Sequence, residues 1–124
     1  MRKAAISIAC AFAFAAGAQA QAQDAARGKT LYDSRCVACH SVDDNRVGPA
    51  HKGVFGRKAG AAKDYDYSAA LKMSKVMWNE KSLDAWLTGP EQFIPGQKMG
   101  FSVPEVQDRR DLIAYLRLVS ESKK

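Results

Sequence analysis

The most regular pattern of hydrophobic positions lies near the carboxyl end of the chain. The apolar residues that recur there at i, i+3, i+4 and i+7 are Leu112, Tyr115, Leu116 and Val119. This spacing places all four on one face of a helix, so it predicts an amphipathic helix. Ser102 and Glu105 form a capping box ahead of it, with Pro104 in the first turn. The apolar face requires a packing partner elsewhere in the chain.

A helix near the start of the domain is predicted to be that partner. Asp24 is suited to cap a helix over residues 25–39, with Leu31 and Tyr32 on its buried side. Gly28 inside this helix costs about 1 kcal/mol relative to alanine. Its presence indicates that another helix crosses closely there. We expect the last helix to make that crossing.

A long irregular segment follows, over residues 41–66. Five turn-forming residues interrupt it, namely Gly48, Pro49, Gly53, Gly56 and Gly60. A loop of this length in a compact domain is usually functional or packed on a ligand. The sequence therefore predicts that this loop covers something other than protein.

Two further helices are predicted after the loop. A short one spans residues 68–74, and a better one begins after Asn79 as its N-cap. The second helix should stop at Gly89 and Pro90. Its apolar face consists of Leu83, Trp86 and Leu87. No run of alternating β-branched residues indicates a strand, so the expected fold class is all-α.

The first twenty residues have the pattern of a secretory signal. A charged start and an apolar run over residues 4–16 are followed by the small-residue cleavage site Ala18-Gln19-Ala20. We expect a signal peptide over residues 1–20, with cleavage as late as residue 22, and one domain over 21–124. The run is too short to span a bilayer, so export to the periplasm without stable membrane insertion is expected. Cys10 lies inside this run and is interpreted as one of its apolar filler residues.

The charge is moderately basic. The formal net charge of +6 at pH 7 falls to +4 once Arg2 and Lys3 are removed. Lysine and arginine are scattered among aspartate and glutamate, which disfavours nucleic acid as a partner. The excess suits an acidic protein surface or simple solubility.

Residues 36–40, Cys-Val-Ala-Cys-His, form the motif with the most specific chemistry. C-x-x-C-H is the signature of covalent haem attachment. Cys36 and Cys39 fall on one face of a helical turn, where both can form thioethers with one porphyrin. His40 can then turn its imidazole to the iron. The motif predicts one covalently bound haem c.

Other uses of these residues fit less well. Two cysteines in an exported protein could form a disulfide or a redox pair, but a thioredoxin-like pair lies beside a βαβ unit. Zinc is disfavoured because the adjacent Cys39 and His40 cannot readily both point at one tetrahedral ion.

The second axial ligand has four candidates, which are His51, Met73, Met77 and Met99. Met73 and Met77 are spaced i, i+4 about a short helix, where methionine is usually core filler. His51 is separated from His40 by a loop too short to reach the opposite face of a porphyrin. Met99 follows a Pro-Gly turn that would hold a thioether rigidly. Thioether ligation raises the reduction potential and, with both axial positions filled, leaves one-electron transfer as the chemistry.

Several separated motifs, in order, resemble those of a class I cytochrome c, of the type found in mitochondria and as bacterial cytochromes c2. Residues 36–40 are similar to the family's haem site, and residues 95–99 to its loop that carries the methionine ligand. Gly48 and Pro49 resemble the turn whose proline carbonyl accepts the Nδ1 proton of the histidine ligand. The resemblance thus implies His40 and Met99 as axial ligands.

The same resemblance implies how the haem is surrounded. Arg57 resembles the family's arginine near a propionate, and Tyr67 and Trp78 resemble its other propionate hydrogen-bond donors. The residues that resemble the contact between the terminal helices are Gly28, Tyr32, Leu112 and Tyr115. The implied fold has crossed terminal helices, with shorter helices and long loops wrapped around one haem.

The implied function is that of a soluble monohaem electron carrier, not an enzyme. The expected partners are transient redox proteins, membrane-bound or periplasmic, and the carrier is expected to be monomeric and to bind no nucleic acid. Two alternatives remain open, which are a peroxidase-like haem enzyme and a subunit of a larger redox complex. The electron donor and acceptor are not indicated.

The sequence departs from the family pattern at five positions. His51 replaces a leucine packed near the haem, so either the wall is more polar or the imidazole points outward. Trp86 replaces a common tyrosine and Gln97 a usual threonine. Glu91 and Gln92 replace lysines often used for docking. A weaker basic docking face is therefore expected, consisting of Arg35, Arg46 and Lys98.

Overall fold

The computed structural model describes residues 22–122. Within that range the regular elements are the helices α1 (Ala25–Arg35), α2 (Ala69–Met73), α3 (Glu80–Thr88), α4 (Pro90–Phe93) and α5 (Val106–Glu121). Over the same residues strand pairing is limited to one isolated bridge between Lys58 and Met77. The all-α prediction is confirmed. The predicted signal segment lies outside the described residues.

The terminal helices α1 and α5 cross at Gly28. This glycine is buried, and a Cβ atom built on it would lie 1.9 Å from the carbonyl oxygen of Asp111 and 3.0 Å from Cβ of Tyr115. Any side chain there would therefore collide with the backbone of α5. The predicted close approach of the two helices is confirmed.

Charged groups also join α1 to α5, which the apolar stripe did not predict. The Arg27 guanidinium bridges Asp108 and Asp111, with both contacts at 2.5 Å. Arg35 pairs with the other oxygen of Asp108 at 2.8 Å. Asp111 is only 1% exposed and also accepts a hydrogen bond from the backbone N–H of Asp24 at 2.9 Å. Multiple partners of this kind are what a buried carboxylate requires.

The first helix is shorter than predicted, because it ends at Arg35 and not near residue 39. Asp24 caps it as expected, accepting from the backbone N–H of Arg27. At the other end the backbone N–H of Cys39 donates to the carbonyl of Cys36, a tighter i to i+3 bond. This bond converts the cysteine motif into a turn. The two cysteines therefore follow the helix and do not lie within it.

The predicted capping box of α5 is wrong. Glu105 is the N-cap residue and makes no side-chain cap hydrogen bond, and Pro104 lies before the helix. Arg109 instead donates from Nη1 to the carbonyls of Val103 and Pro104, at 2.9 and 2.8 Å. The segment ahead of α5 is thus held by a side chain from the helix itself.

The helix after Asn79 begins as predicted and is followed by a helix that was not. Asn79 and Ser82 form a reciprocal capping box at the start of α3. Pro90, expected only to end α3, is also the first residue of α4. This is the position where proline is favoured, since the first helical N–H has no partner within the helix.

The long loop (residues 41–66) has no helix and is held by bonds from side chains to backbone. Asn45 Nδ2 donates to the carbonyl of Lys63 at 2.8 Å, and the Tyr65 hydroxyl donates to the carbonyl of Val47 at 2.6 Å. These bonds join distant parts of the loop. A backbone bond places the loop beside the cysteine motif, since the N–H of Gly48 donates to the carbonyl of Cys39 at 2.8 Å.

Candidate haem site

The two cysteines of the attachment motif lie side by side in the turn after α1. Both are free thiols, with Cys36 partly buried and Cys39 exposed. Burial raises the pKa of the Cys36 thiol to about 11. The guanidinium of Arg46 donates to the carbonyl of Val37 between them, and also to that of His40 at 3.4 Å. Arg46 therefore holds the motif in shape.

His40 is oriented by the turn at Gly48 and Pro49. Its Nδ1 lies 2.9 Å from the carbonyl oxygen of Pro49, which leaves Nε2 as the nitrogen available for a metal. A Cβ atom on Gly48 would lie 2.2 Å from Cε1 of the ring, so only glycine fits there. Burial lowers the pKa of His40, partly offset by the bond to Pro49. The imidazole is thus kept neutral, as a ligand must be.

His51 points inward, against His40. The two imidazole rings stack with centroids 4.1 Å apart and planes inclined by 21°. The Tyr32 hydroxyl lies 2.9 Å from Nδ1 of His51. Burial, followed by the nearby His40 and Arg57, holds the pKa of His51 well below its usual range. Of the two arrangements expected from the sequence, the structure shows the polar wall.

Arg57 has a buried donor that no group within residues 22–122 satisfies. Its Nη1 and Nη2 donate to the carbonyls of Lys52 and Ala50, at 3.2 and 3.0 Å. Its Nε is buried and has no hydrogen-bond partner among the described residues. Burial lowers the pKa of this guanidinium, an effect that the Tyr67 phenol partly offsets. An orphaned charged donor in this position is what a buried carboxylate of a cofactor would pair with.

Tyr67 and Trp78 lie in the same region as Arg57. The Tyr67 hydroxyl accepts from the backbone N–H of Ala62 at 3.1 Å, so its own proton remains to be donated. The backbone N–H of Trp78 donates to the carbonyl of Arg57 at 2.9 Å. The Trp78 ring meets Trp86 edge to face, with centroids 5.4 Å apart. The three predicted propionate donors are therefore brought together.

Met99 lies in a loop that polar side chains brace from within. Its backbone N–H donates to Oε1 of Gln97 at 2.5 Å, and the Gln97 amide donates to Glu91 at 3.2 Å. Glu91 also accepts from the backbone N–H of Gly96, a residue with φ +87°. Glu91 and Gln97, which departed from the family pattern, thus hold the loop of Met99. No spacing rule in the sequence indicated this role.

The other two methionines are not core residues. Met73 is 78% exposed and Met77 is 50% exposed, so their interpretation as core filler is wrong. Met99 is partly buried and packs against the hydrophobic core.

The cations of the expected docking face are engaged in contacts within the chain. Arg35 pairs with Asp108, Arg46 holds the cysteine motif, and Lys98 Nζ donates to the carbonyl of Asp66 at 3.1 Å. In each case the positively charged group lies against an acceptor within the same chain.

The residues present fit a covalently attached haem. Two thiols, a neutral imidazole with Nε2 available, and an unpartnered guanidinium Nε are grouped as the chemistry of thioethers, iron and propionates requires.

None of the helices within residues 22–122 is long and apolar enough to cross a membrane.

Comparisons with known proteins agree with this geometry. The family model for cytochrome c matches residues 25–120. A cytochrome c of Tetrahymena pyriformis is 46% identical over 98 residues, covering 77% of this chain and 89% of the relative. One of Gibberella zeae is 41% identical over 98 residues, covering 76% and 92%. The solved structure of cytochrome cH from Methylobacterium extorquens matches with a TM-score of 0.73 and 42% identity, covering 77% of this chain and 98% of the other. The chain therefore belongs to the cytochrome c family, whose members carry one covalent haem c and transfer electrons to and from transient partners.

Proposed function

We propose that this electron carrier holds its iron between His40 and Met99, with thioethers from Cys36 and Cys39. The observation that supports this most directly is the 2.9 Å contact between His40 Nδ1 and the Pro49 carbonyl. It leaves Nε2 for the metal, immediately after the two thiols in the chain. With both residues as ligands, the iron would have no position left open for substrate or oxygen.

The haem, when bound, supplies a centre that gains and loses one electron. The chain's residues set its environment. Met99 contributes a soft sulfur that favours the ferrous state. Arg57, Tyr67 and Trp78 would donate hydrogen bonds to the propionates, which could not otherwise be buried without a large desolvation cost. The buried Nε of Arg57 supports this role.

Thioether attachment is tested with the two cysteines. In cells with haem-attachment machinery, the wild-type protein should keep its porphyrin absorbance through acid denaturation and removal of free haem. Replacing both Cys36 and Cys39 by serine should release the haem under the same treatment. Loss of haem from the wild type, or its retention by the double variant, would contradict the proposal.

We further propose that residues 1–20 direct export to the periplasm, and that the domain over 21–124 acts there as a monomer. The charged start, the apolar run and the small residues at 18 and 20 support this. Mass spectrometry of the purified periplasmic protein should show a first residue of 21 or 23. A protein that retains residues 1–20, or stays in the cytoplasm, would overturn the assignment.

The redox partners are proposed to be met in short encounters with a modest electrostatic component. The engagement of Arg35, Arg46 and Lys98 within the chain supports a weakly basic docking face. Comparing the reduction of the purified protein by membranes with its reduction by soluble extract identifies whether the electron donor is membrane-bound or soluble. The rate of reduction should fall only modestly as salt rises.

A further inference from the structure

His51 is a buried imidazole that electron transfer by a His/Met haem does not itself require. Its ring covers one face of the His40 ring, with centroids 4.1 Å apart. The usual residue of the family at this position, leucine, cannot present a flat face or accept a hydrogen bond. The imidazole therefore adds a contact of a different kind beside the metal ligand.

Two other residues contact the His40 ring, and neither supplies a flat side chain. Pro49 holds Nδ1 by one hydrogen bond, and Gly48 lies over the ring, since a Cβ atom on it would be 2.2 Å from Cε1 and 2.6 Å from each ring nitrogen. One hydrogen bond at one atom still permits the ring to tilt about that atom. A flat group packed on the ring face opposes this tilt.

The His51 ring is itself held in place. The Tyr32 hydroxyl lies 2.9 Å from its Nδ1, and the Tyr32 ring meets it edge to face with centroids 5.5 Å apart. Tyr32 is 2% exposed and packs on Tyr115 of α5, with centroids 5.1 Å apart. A continuous set of contacts thus runs from the crossing of the terminal helices, through Tyr32 and His51, to His40.

We propose that His51 is a positioning residue for the axial ligand, and that its ring, anchored by the Tyr32 hydroxyl, fixes the tilt and rotation of the His40 imidazole. Groups that orient a metal-bound histidine also tune the metal, and their loss typically costs about 10- to 100-fold in metal affinity or activity. The inference rests on His40 being the iron ligand, as proposed above.

The test uses the ferric holoprotein and two variants. His51→Leu removes the flat ring, and Tyr32→Phe removes only the hydroxyl and keeps the aromatic packing. Proton NMR of the haem methyl groups reports the orientation of the axial imidazole, because that orientation sets how unpaired spin is distributed over the porphyrin. Both variants should shift the methyl pattern away from that of the wild type, with the larger shift in His51→Leu.

Ile113→Ala is the matched control. Ile113 lines the groove between α3 and α5 with Glu80 and Asp84, so the change should lower stability and leave the methyl pattern unaltered. If His51→Leu or Tyr32→Phe kept the wild-type pattern while folded and carrying haem, the positioning role would be overturned. Failure of the proposed ligation is distinguishable, because the wild type would then lack the resonances of an iron-bound imidazole.

Discussion

The crossing of the terminal helices and the long loop (residues 41–66) achieve order in different ways. At the crossing, Gly28 lets α1 lie against the backbone of α5, and Arg27 joins two buried carboxylates. The loop lacks helices and is tied by bonds between side chains and backbone. The Nε of Arg57 in this loop has no hydrogen-bond partner in the part of the chain that the structure describes. The crossing is therefore complete within the chain, whereas the loop leaves a buried charged donor that we propose a haem propionate satisfies.

The largest effect should come from filling the space at Gly28. Gly28→Val puts a side chain where a Cβ atom alone would lie 1.9 Å from a backbone oxygen of α5. Because backbone cannot move aside cheaply, we expect a loss of about 3 kcal/mol in the free energy of unfolding. Guanidinium unfolding of the holoprotein measures it.

Gly100→Val is the matched control for this change. A Cβ atom on Gly100 meets nothing within 4 Å, and this glycine does not have a positive φ. Its unfolding free energy should stay within about 0.5 kcal/mol of the wild type. Equal losses at Gly28 and Gly100 would show that the crossing is not a close contact.

Gly48→Ala should damage the haem site more than the global fold. The added methyl group would lie 2.2 Å from the His40 ring, so the ring must rotate away from the Pro49 carbonyl. We expect an altered ferric absorption spectrum and a changed reduction potential, with a smaller loss of stability than in Gly28→Val. An unchanged potential would mean that Gly48 does not set the position of the ligand.

The smallest effect should be the loss of stability at the helix crossing when the pH is lowered. A hydrogen bond from Arg27, followed by one from Arg35, holds the pKa of Asp108 below its usual range. A carboxyl group with a lowered folded-state pKa stabilises the protein above its unfolded pKa, near 4, and this contribution is lost as pH falls through the folded value. Stability should therefore decrease below about pH 4, and Asp108→Asn should reduce that slope.

The control for this titration is Asp44→Asn, an exposed residue of the long loop. Unfolding followed at several pH values should give the same acid slope for Asp44→Asn as for the wild type. If Asp108→Asn also kept the wild-type slope, the ion pairs with Arg27 and Arg35 would contribute nothing measurable.

The sequence predicted the crossing better than the loop for a physical reason. Helical spacing and a glycine within a helix are local signals, so α5 and the contact at Gly28 followed from them. The predicted end of α1 was wrong by about four residues, because a tighter turn at Cys36 replaces the last helical turn. The predicted capping box failed because α5 begins later than expected, so that Glu105 is itself the N-cap residue and not the third residue of the first turn.

The residues of the candidate site could be identified from motifs and from the family resemblance. The contacts that support those residues could not. The cysteine motif and the residues near the propionates could be named from the sequence. The stacking of His51 on His40 depends on the path of a loop without periodicity, so no pattern indicated it. The same holds for Gln97 and Glu91, whose bonds to the Met99 loop are visible only in three dimensions.

The most direct measurement of the central claim is the ferric absorption spectrum of Met99→Ala beside that of Met73→Ala. Met73 is 78% exposed, so its replacement controls for the loss of any methionine. The wild type and Met73→Ala should show the weak sulfur-to-iron band, and Met99→Ala should lack it and have a markedly lower reduction potential. Persistence of the band in Met99→Ala would contradict the assignment of His40 and Met99 as the two axial ligands.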